Sequence, residues 1–281
     1  MVSARTGTGR FEWVGGAGHG GMAHNPAVSK TLTIDCGGGG LKAGVVDDSD
    51  ALVCRPIRIP TPYPFPPERF VRSLLDIDEQ LAAECGAADR ITVGMPGMIR
   101  HGVVVATPHY VTTAGPQTAV DPGLLAAWAG YDARAALGRA FGRPVLVLND
   151  AEVHGSALVD GTGLELVLTL GTGLGSALFD DGVPAPHLEL SHAPVRRKRT
   201  YDRYVGEIQR RELGNAKWSR RVLRMVDGLR PVFHWDRLFL GGGNSALIDP
   251  PALAELGDDV TIVPNTAGVT GGARAWKLMG Q

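Results

Sequence analysis

Two glycine-rich segments of the chain have the composition of phosphate-binding turns. Residues 31–47 read TLTIDCGGGGLKAGVVD, and residues 165–181 read ELVLTLGTGLGSALFDD. In each segment an apolar run leads into glycines, and a second apolar run follows them. At an offset of 134 positions (171 − 37), identical residues coincide at Leu32/Leu166, Gly37/Gly171, Gly39/Gly173, Ala43/Ala177 and Asp47/Asp181. The pattern predicts that one strand–turn–strand unit occurs twice.

Glycine suits a turn that must bind an anion. It has no Cβ, so the backbone N–H groups of the turn stay accessible to a phosphate. Two such turns in two similar halves predict two loops that close on one polyanion, a nucleotide or a polyphosphate. The residues predicted to bind phosphate are Gly37, Gly38, Gly39, Gly40, Lys42, Gly171, Thr172, Gly173 and Gly175. The alternative is a pair of ordinary β-hairpins.

A carboxylate and an amide follow an apolar run in the middle of the chain. Residues 145–148 (VLVL) read as a buried strand, and Asn149 and Asp150 come directly after it. Open α/β sheets place their ligands at such strand ends. Asp150 is therefore predicted to accept the proton of a substrate hydroxyl that attacks phosphorus, and Asn149 to bind a sugar hydroxyl. The alternative for Asp150 is the N-cap of a helix over 151–158.

The first glycine turn is flanked by a carboxylate and an amine. Asp35 closes the strand before the turn, and Lys42 follows it. A carboxylate beside a phosphate loop can hold Mg²⁺ through water, because this ion prefers oxygen ligands and keeps much of its hydration. Asp35 is thus the predicted Mg²⁺ residue. The alternatives are that Asp35 caps the turn and that Lys42 is a solvated side chain.

A further polar group lies just beyond the second glycine segment. Residues 186–194 read PHLELSHAP, and they contain Glu189 and His192. A carboxylate that accepts hydrogen bonds and an imidazole that donates them suit a polyol substrate. The alternative is that His192, like His154, is an ordinary loop histidine.

The composition limits the classes of protein that the chain can belong to. The 281 residues are 44% hydrophobic, enough for one large core or two domains, and the net charge is −1. This charge argues against general nucleic-acid binding, and no apolar run is long enough to span a membrane. The three cysteines (Cys36, Cys54 and Cys85) are far apart and form no C-x-x-C pair, so we expect free thiols in a cytoplasmic protein without a zinc site.

Apolar periodicity predicts strands alternating with helices, which is typical of layered α/β proteins. The predicted strands cover 31–35, 43–47, 52–59, 90–94, 103–106, 145–148, 165–170, 176–179, 238–240 and 260–263. The predicted helices cover 68–85, 122–141, 151–158, 203–229 (one helix, or two broken near Gly214) and 270–279. The order β-β-β-α-β-α occurs twice, so we expect two similar domains with a cleft between them.

The amino-terminal residues differ from the rest of the chain. Residues 1–30 are rich in Gly, Ala, Ser, Thr and Arg and show no apolar period, which predicts a disordered tail. We expect an N-terminal domain over 31–149 and a C-terminal domain over 150–281, whose last helix packs back on the first domain.

Six short motifs, in order over about residues 31–281, resemble those of the ROK family of sugar kinases, within the superfamily of actin-like ATPases. The similarity is greatest to the polyphosphate/ATP-dependent glucokinases. The motifs are D-C-G-G-G-G-L-K at 35–42, G-M-P-G at 94–97, L-N-D-A at 148–151, L-G-T-G-L-G-S-A at 170–177, E-L-S-H at 189–192 and L-G-G-G at 240–243.

The resemblance implies two ribonuclease H-like domains around a central cleft, often assembled as a homodimer. It implies transfer of a phosphoryl group from ATP or polyphosphate, with Mg²⁺, to a hexose hydroxyl, usually of glucose. Asp150 would be the general base, and the sugar would be bound by Asn149, Glu189, His192 and the loop containing Gly97. Gly241, Gly242 and Gly243 would form the glycine turn on the adenosine side of the nucleotide-binding site. No membrane or nucleic-acid partner is implied.

Three positions depart from the family motifs. Gly39 stands where a Ser or Thr is usual, Ser191 replaces the Gly before the motif His, and residues 107–110 (TPHY) lack the Asn that usually reaches the sugar. The cysteine-rich zinc module of many ROK proteins is also absent. These departures leave two alternatives to a glucokinase: an inactive sugar- or nucleotide-binding regulator, or a kinase for another acceptor.

Overall fold

The computed structural model describes residues 29–196, 198–263 and 267–280. The predicted tail therefore lies almost entirely outside the described residues. Within the described part of the chain, no helix is long and apolar enough to cross a membrane.

The first half of the chain forms a five-stranded mixed sheet. Its strand order is β3-β2-β1-β4-β7. β1 pairs antiparallel with β2 and parallel with β4, and β4 pairs parallel with β7. The strands are β1 (Lys30–Cys36), β2 (Leu41–Asp47), β3 (Ile57–Ile59), β4 (Arg90–Met95) and β7 (Val145–Asn149). A separate ribbon is formed by β5 (Met98–Arg100) and β6 (Val103–Ala106).

The second half repeats this sheet with the same topology. Its order is β10-β9-β8-β13-β14, with β8 antiparallel to β9 and parallel to β13. The strands are β8 (Leu164–Leu170), β9 (Leu174–Asp180), β10 (Val183–Pro184), β13 (Arg237–Gly241) and β14 (Val260–Ile262). A second ribbon, β11 (Pro194–Arg196) with β12 (Arg199–Thr200), lies outside this sheet. The predicted α/β class and the repeat of one unit are confirmed.

Helices cover the two sheets. They are α1 (Pro67–Cys85), α2 (Pro122–Trp128), α3 (Ala133–Phe141), α4 (Asp150–Ser156), α5 (Asp202–Val205), α6 (Glu207–Leu213), α7 (Asn215–Phe233), α8 (Pro250–Glu255) and α9 (Ala267–Leu278). The apolar face of α1 packs on the first sheet, and that of α7 packs on the second. Burial of these faces from water is the main favourable contribution to folding.

Three predicted elements were wrong in extent. Only 57–59 of the predicted strand 52–59 pairs with β2, apart from one isolated bridge at Leu52. The predicted helix 122–141 is broken between α2 and α3, where Gly130 adopts a φ of 71°. The predicted helix 203–229 is three helices, and one of the breaks falls at Gly214, whose φ is 75°. A positive φ is accessible to glycine but ends a right-handed helix.

Helix α4 lies between the two sheets and positions the site. It packs on β4 and β7 of the first sheet and on β8 and β9 of the second. The last helix, α9, packs on α4 and on β1, β2 and β4. Its Trp276 indole donates to Thr92 Oγ1 at 2.8 Å, and Thr92 Oγ1 donates to the Gly272 carbonyl at 3.0 Å. These contacts hold the N-terminus of α4 at the edge where the strands end.

Two cysteines that are distant in sequence lie together. Cys54 precedes β3 and Cys85 is the last residue of α1, yet their Sγ atoms are 2.8 Å apart. All three cysteines are free thiols, as predicted, but the sequence did not indicate that two of them are in contact. The fold of β2, β3 and α1 onto one another creates the contact.

Candidate active site

A cavity of about 370 Å³ opens between the two sheets. Both halves of the chain contribute to its lining, since residues of both glycine turns border it. Its lining includes Asp35, Gly37, Gly38, Gly97, His109, Asn149, Asp150, His154, Gly171, Thr172, Gly173, Gly175, His187, Glu189, Ser191, His192, Asp202, Gly242 and Gly243. Most of the residues predicted from the sequence thus share one cavity.

The two glycine turns are closed by backbone hydrogen bonds but differ in length. In the first turn Gly37 N–H donates to the Gly40 carbonyl at 2.9 Å, and in the second Gly171 N–H donates to the Gly173 carbonyl at 3.0 Å. The first turn is one residue longer. Ile34 pairs with Ala43, whereas its counterpart Leu168 pairs with Ser176. The coincidence of Ala43 with Ala177 at a constant offset was therefore not a structural equivalence.

Four predicted phosphate-site residues do not line this cavity in the described part of the chain. Gly39 is exposed at the tip of its turn, and Lys42 lies on β2 with its Nζ 3.8 Å from Asp35 Oδ2. A Cβ at Gly40 would lie 2.9 Å from the Ile59 carbonyl oxygen, and one at Gly241 would lie 2.8 Å from His154 Nε2. Gly40 and Gly241 thus permit close packing behind the site.

Asp150 is the first residue of α4 and lines the cavity. Its Oδ1 accepts the N–H of Ala151 at 2.9 Å. Burial raises the pKa of Asp150 to about 7; the charges of Asp35 and Glu189 add to the effect, and the Ala151 N–H and His187 oppose it. A carboxyl with this pKa changes its protonation state near neutral pH.

Asn149, not Asp150, is the N-cap of α4. Its Oδ1 accepts the Ala151 N–H at 2.8 Å, and its own N–H donates to Glu152 Oε2 at 2.9 Å. This is a capping box. The interpretation of Asp150 as the cap was therefore wrong, and its carboxylate remains directed to the cavity.

Asn149 also joins the strand end to the loop after β4. Its Nδ2 donates to the Gly97 carbonyl at 2.8 Å. Gly97 has a φ of 101°, and a Cβ there would overlap the Ala106 carbonyl, so only glycine fits. Because the Asn149 side-chain oxygen caps α4, the amide has one N–H left for a further partner.

Asp35 lies at the end of β1 and faces the same cavity. Burial raises its pKa, while Lys42 and Arg58 oppose the shift. Within the described ranges no cluster of three or more His, Cys, Asp or Glu side chains could hold a metal. Mg²⁺ commonly takes one or two carboxylates, with water and substrate phosphates completing its shell. A single carboxylate that faces both glycine turns fits that mode of binding.

Glu189 and His192 both reach the cavity, on either side of Ser191. Ser191 Oγ donates to Glu189 Oε1 at 2.6 Å. Burial raises the pKa of Glu189, but the adjacent His187 imidazole and the hydrogen bond from Ser191 outweigh it, so the net pKa is lowered. Glu189 is therefore ionised, and it accepts hydrogen bonds at neutral pH. Ser191, which departs from the family motif, orients this carboxylate.

Sequence reasoning missed two histidines of the site. His154 is not in a loop: it is buried on α4, one turn after Asp150, and burial together with Lys42 lowers its pKa to about 4. The i, i+4 spacing from Asp150 could have indicated it, since such residues share a helix face. His187 lies between Glu152 and Glu189, and no local pattern marks it.

Two further residues flank the glycine turns. His109 packs against Gly38, and burial lowers its pKa, against the influence of Asp202. Asp202 Oδ1 accepts the N–H of Leu174 at 3.1 Å. The segment 107–110, which lacks the motif Asn, thus contributes an imidazole to the cavity instead.

Known proteins share this sequence pattern and this fold. The sequence profile of the ROK family matches residues 31–185, more than half of the chain. Polyphosphate glucokinase of Mycobacterium tuberculosis is 29% identical over 255 residues, which cover 86% of this chain and 89% of that protein. The crystal structure of an inorganic polyphosphate/ATP-glucomannokinase from Arthrobacter sp. strain KM is 30% identical, with a TM-score of 0.71 over 87% of this chain and 97% of its own.

A more distant structure shares the fold alone. A ROK family glucokinase from Streptomyces griseus, solved with glucose and AMPPNP, has a TM-score of 0.66 at 16% identity, over 88% of this chain and 98% of its own.

The repeated sheet, the cavity between the two copies and these similarities define an actin-like ATPase fold of the sugar-kinase class. The chain belongs to the ROK family. It is a phosphotransferase with an alcohol acceptor.

Proposed function

We propose that this enzyme transfers a phosphoryl group from ATP or polyphosphate to a hexose hydroxyl, with glucose as the first candidate acceptor and Asp150 as general base. The observation that supports it is the carboxylate of Asp150, which lies between the two glycine turns with its pKa raised to about 7. The named activities of the mycobacterial and Arthrobacter relatives support the donor and the acceptor class.

In the proposed mechanism Glu189, His192 and Asn149 bind the sugar hydroxyls and orient one of them toward Asp150. Asp150 accepts the proton of that hydroxyl as its oxygen attacks the terminal phosphorus of the donor. N–H groups of the two glycine turns bind the donor phosphates. Mg²⁺, held at Asp35 through water, would neutralise charge on the transferred group. The proposal also includes a domain division at 149/150 and a cytoplasmic homodimer.

A matrix of acceptors against donors tests the proposal directly. Glucose, mannose, N-acetylmannosamine and a cyclitol would each be incubated with Mg²⁺ and either ATP or polyphosphate, and phosphorylated product would be quantified. We expect turnover with at least one hexose, and glucose among the best acceptors. If only the cyclitol were phosphorylated, the acceptor would be a cyclitol and not a hexose. If no combination of acceptor and donor gave product, the proposal would be refuted.

The Asp150→Asn variant tests the general base. Because Asn149 caps α4, the variant should fold and bind sugar nearly as the wild type does, while kcat falls by ~10²–10⁴. In the wild type, kcat/KM should rise as pH increases through about 7, since Asp150 must be deprotonated to accept a proton. The variant should lack this rise.

Asp76→Asn, an exposed change on α1, is the matched control for the loss of one carboxylate. Turnover would be measured alongside thermal unfolding. If Asp150→Asn kept more than about a third of wild-type activity, Asp150 would not be the base.

Glu189 and His192 form the proposed sugar clamp. Glu189→Gln and His192→Asn should each raise the KM for the acceptor several-fold more than the KM for the donor, because each side chain contacts only the sugar. Glu84→Gln, on the exposed side of α1, should change neither constant. An equal rise in both KM values would argue that the loop serves the donor, or the fold as a whole.

Polyphosphate use should depend on basic residues at the cavity rim. The β11–β12 ribbon runs between His192 and Asp202, which both line the cavity, and it carries exposed Arg196, Lys198 and Arg199. Arg197 belongs to the same basic run but lies outside the described residues. Farther on, Arg210 and Arg211 pair with Glu207, so the ribbon is the better candidate for a long polyanion.

Replacing Arg196 and Arg199 by Gln should therefore weaken the binding of polyphosphate far more than the binding of ATP. Affinity for polyphosphate should also fall steeply with salt, since each neutralised phosphate releases counterions. The same double change at exposed Arg72 and Arg139 is the control. KM values for both donors at low and moderate ionic strength are the measurement. Equal changes in the KM for both donors would show that the β11–β12 ribbon has no specific role in binding polyphosphate.

A further inference from the structure

His187 is a buried imidazole between two carboxylates. Its side chain is 2% exposed, its Nδ1 lies 3.9 Å from Glu152 Oε1, and its Nε2 lies 3.7 Å from Glu189 Oε2. Both ring nitrogens are buried, and neither has a hydrogen-bond partner among the residues that the structure describes. The distances are those of ion pairs, and a small shift of either carboxylate would convert them into hydrogen bonds.

The two carboxylates belong to different parts of the site. Glu152 Oε2 accepts the N–H of Asn149, the residue before the proposed base. Glu189 Oε1 accepts from Ser191 in the proposed sugar clamp. The ring of His187 therefore joins the N-terminus of α4 to the sugar-binding loop through one continuous chain of polar groups.

The position of the ring favours protonation of both nitrogens. A neutral imidazole has one donor and one acceptor, and its acceptor lone pair would face a carboxylate oxygen here. An imidazolium presents a donor to each carboxylate. Burial lowers the pKa of His187, but Glu189 and Glu152, with a further contribution from Asp150, raise it by more. These three carboxylates, from α4 and from its own loop, are the charges acting on the ring.

We propose that His187, as an imidazolium, is a positioning residue that holds the Glu189 carboxylate in place for the acceptor sugar and couples it to the N-terminus of α4. The inference rests on the proposed sugar-kinase function and deepens it. His187 acts through Glu189 and need not contact the substrate.

The proposal sets the sign of a pH effect. A histidine with a raised pKa keeps its charge below that pKa and loses it as pH increases through it. The KM for the acceptor should therefore rise on the alkaline side, as the neutral ring releases Glu189, while kcat changes less. This dependence is separate from the rise of kcat/KM that Asp150 governs on the acidic side.

His187→Gln and Glu152→Gln are the two test variants. His187→Gln should raise the acceptor KM by about 10- to 100-fold, the worth of a charged hydrogen bond, and abolish its alkaline rise, with the donor KM little changed. Glu152→Gln keeps an amide oxygen for the Asn149 N–H but removes one charge, so the alkaline rise should move to lower pH. A purely structural role would not move it. His101→Gln, exposed on the β5–β6 turn, is the control.

The measurements are KM for acceptor and donor from pH 6 to 9, with glucose or the best hexose of the acceptor matrix. A wild type without turnover would refute the proposed function, independently of His187. An active wild type whose acceptor pH profile is unchanged in both variants would refute the role of His187. If His187→Gln does not fold, the pH dependence of the acceptor KM in Glu152→Gln tests the role of His187 by itself.

A second inference rests on the contact between Cys54 and Cys85. Their sulfurs are 2.8 Å apart, and both side chains are partly exposed. A disulfide of about 2.05 Å requires only a small further approach. Cys85 Sγ donates to the Leu81 carbonyl at 3.2 Å, and burial together with Cys54 raises the pKa of Cys85 to about 11. The Cys85 sulfur is thus already held by the Leu81 carbonyl, so we assign the first attack on an oxidant to Cys54.

We infer that this pair is a site of reversible oxidation by peroxide. The Cys54 thiolate attacks one peroxide oxygen, the O–O bond breaks, and the departing hydroxide takes a proton to become water. The sulfur of Cys85 then attacks the resulting sulfenic acid, losing its proton, and a second water leaves. The balance is two thiols and one H₂O₂ giving one disulfide and two waters.

Thiol counting after mild hydrogen peroxide treatment tests this inference without any activity assay. The folded protein would be treated with peroxide and then unfolded for counting. One of its three thiols, that of buried Cys36, should remain, and a thiol reductant should restore the other two. Peptide masses should show one intramolecular Cys54–Cys85 link. Cys54→Ser and Cys85→Ser should each prevent the link. Three unreacted thiols, a link between two chains, or oxidation of one sulfur to sulfinic acid would overturn the inference.

Discussion

The enclosure of the Asp150 carboxylate at the start of α4 is the constraint on which the site depends. Helix α4 packs on both sheets, so the residue that begins it lies where the two halves of the chain meet. The Asn149–Glu152 capping box satisfies the end of the helix, and the Asp150 carboxylate shares only the Ala151 N–H with it. The cost of removing this carboxylate from water appears as its raised pKa.

The balance of charge follows from that enclosure. Asp35, Asp150 and Glu189 line one cavity, and the first and last of these raise the pKa of Asp150 further. Lys42 acts on Asp35, and His187 acts on Glu189. The cavity therefore needs additional positive charge before it can accept a polyanionic donor. A divalent cation, exposed arginines on the β11–β12 ribbon and the N–H groups of the glycine turns are of the right kind to supply it.

The repeated sheet explains how two different tasks share one cavity. Both halves place a glycine turn between their first two strands, but the first turn is one residue longer than the second. Different insertions follow: the β5–β6 ribbon with α2 in the first half, and the loop of His187 to His192 with the β11–β12 ribbon in the second. Under the proposed function, duplication provides two glycine turns for the phosphates, and the different insertions provide the asymmetry that an acceptor sugar requires.

The sequence by itself determined the class of fold, the duplicated unit and the position of Asp150 after a buried strand, because apolar periodicity and glycine turns are local signals. The tertiary structure decided the rest. His187 came between two carboxylates from different elements, and Cys54 met Cys85 across 31 positions. These contacts join residues whose separation along the chain carries no periodic signal, so only packing of the sheets and helices could bring them together.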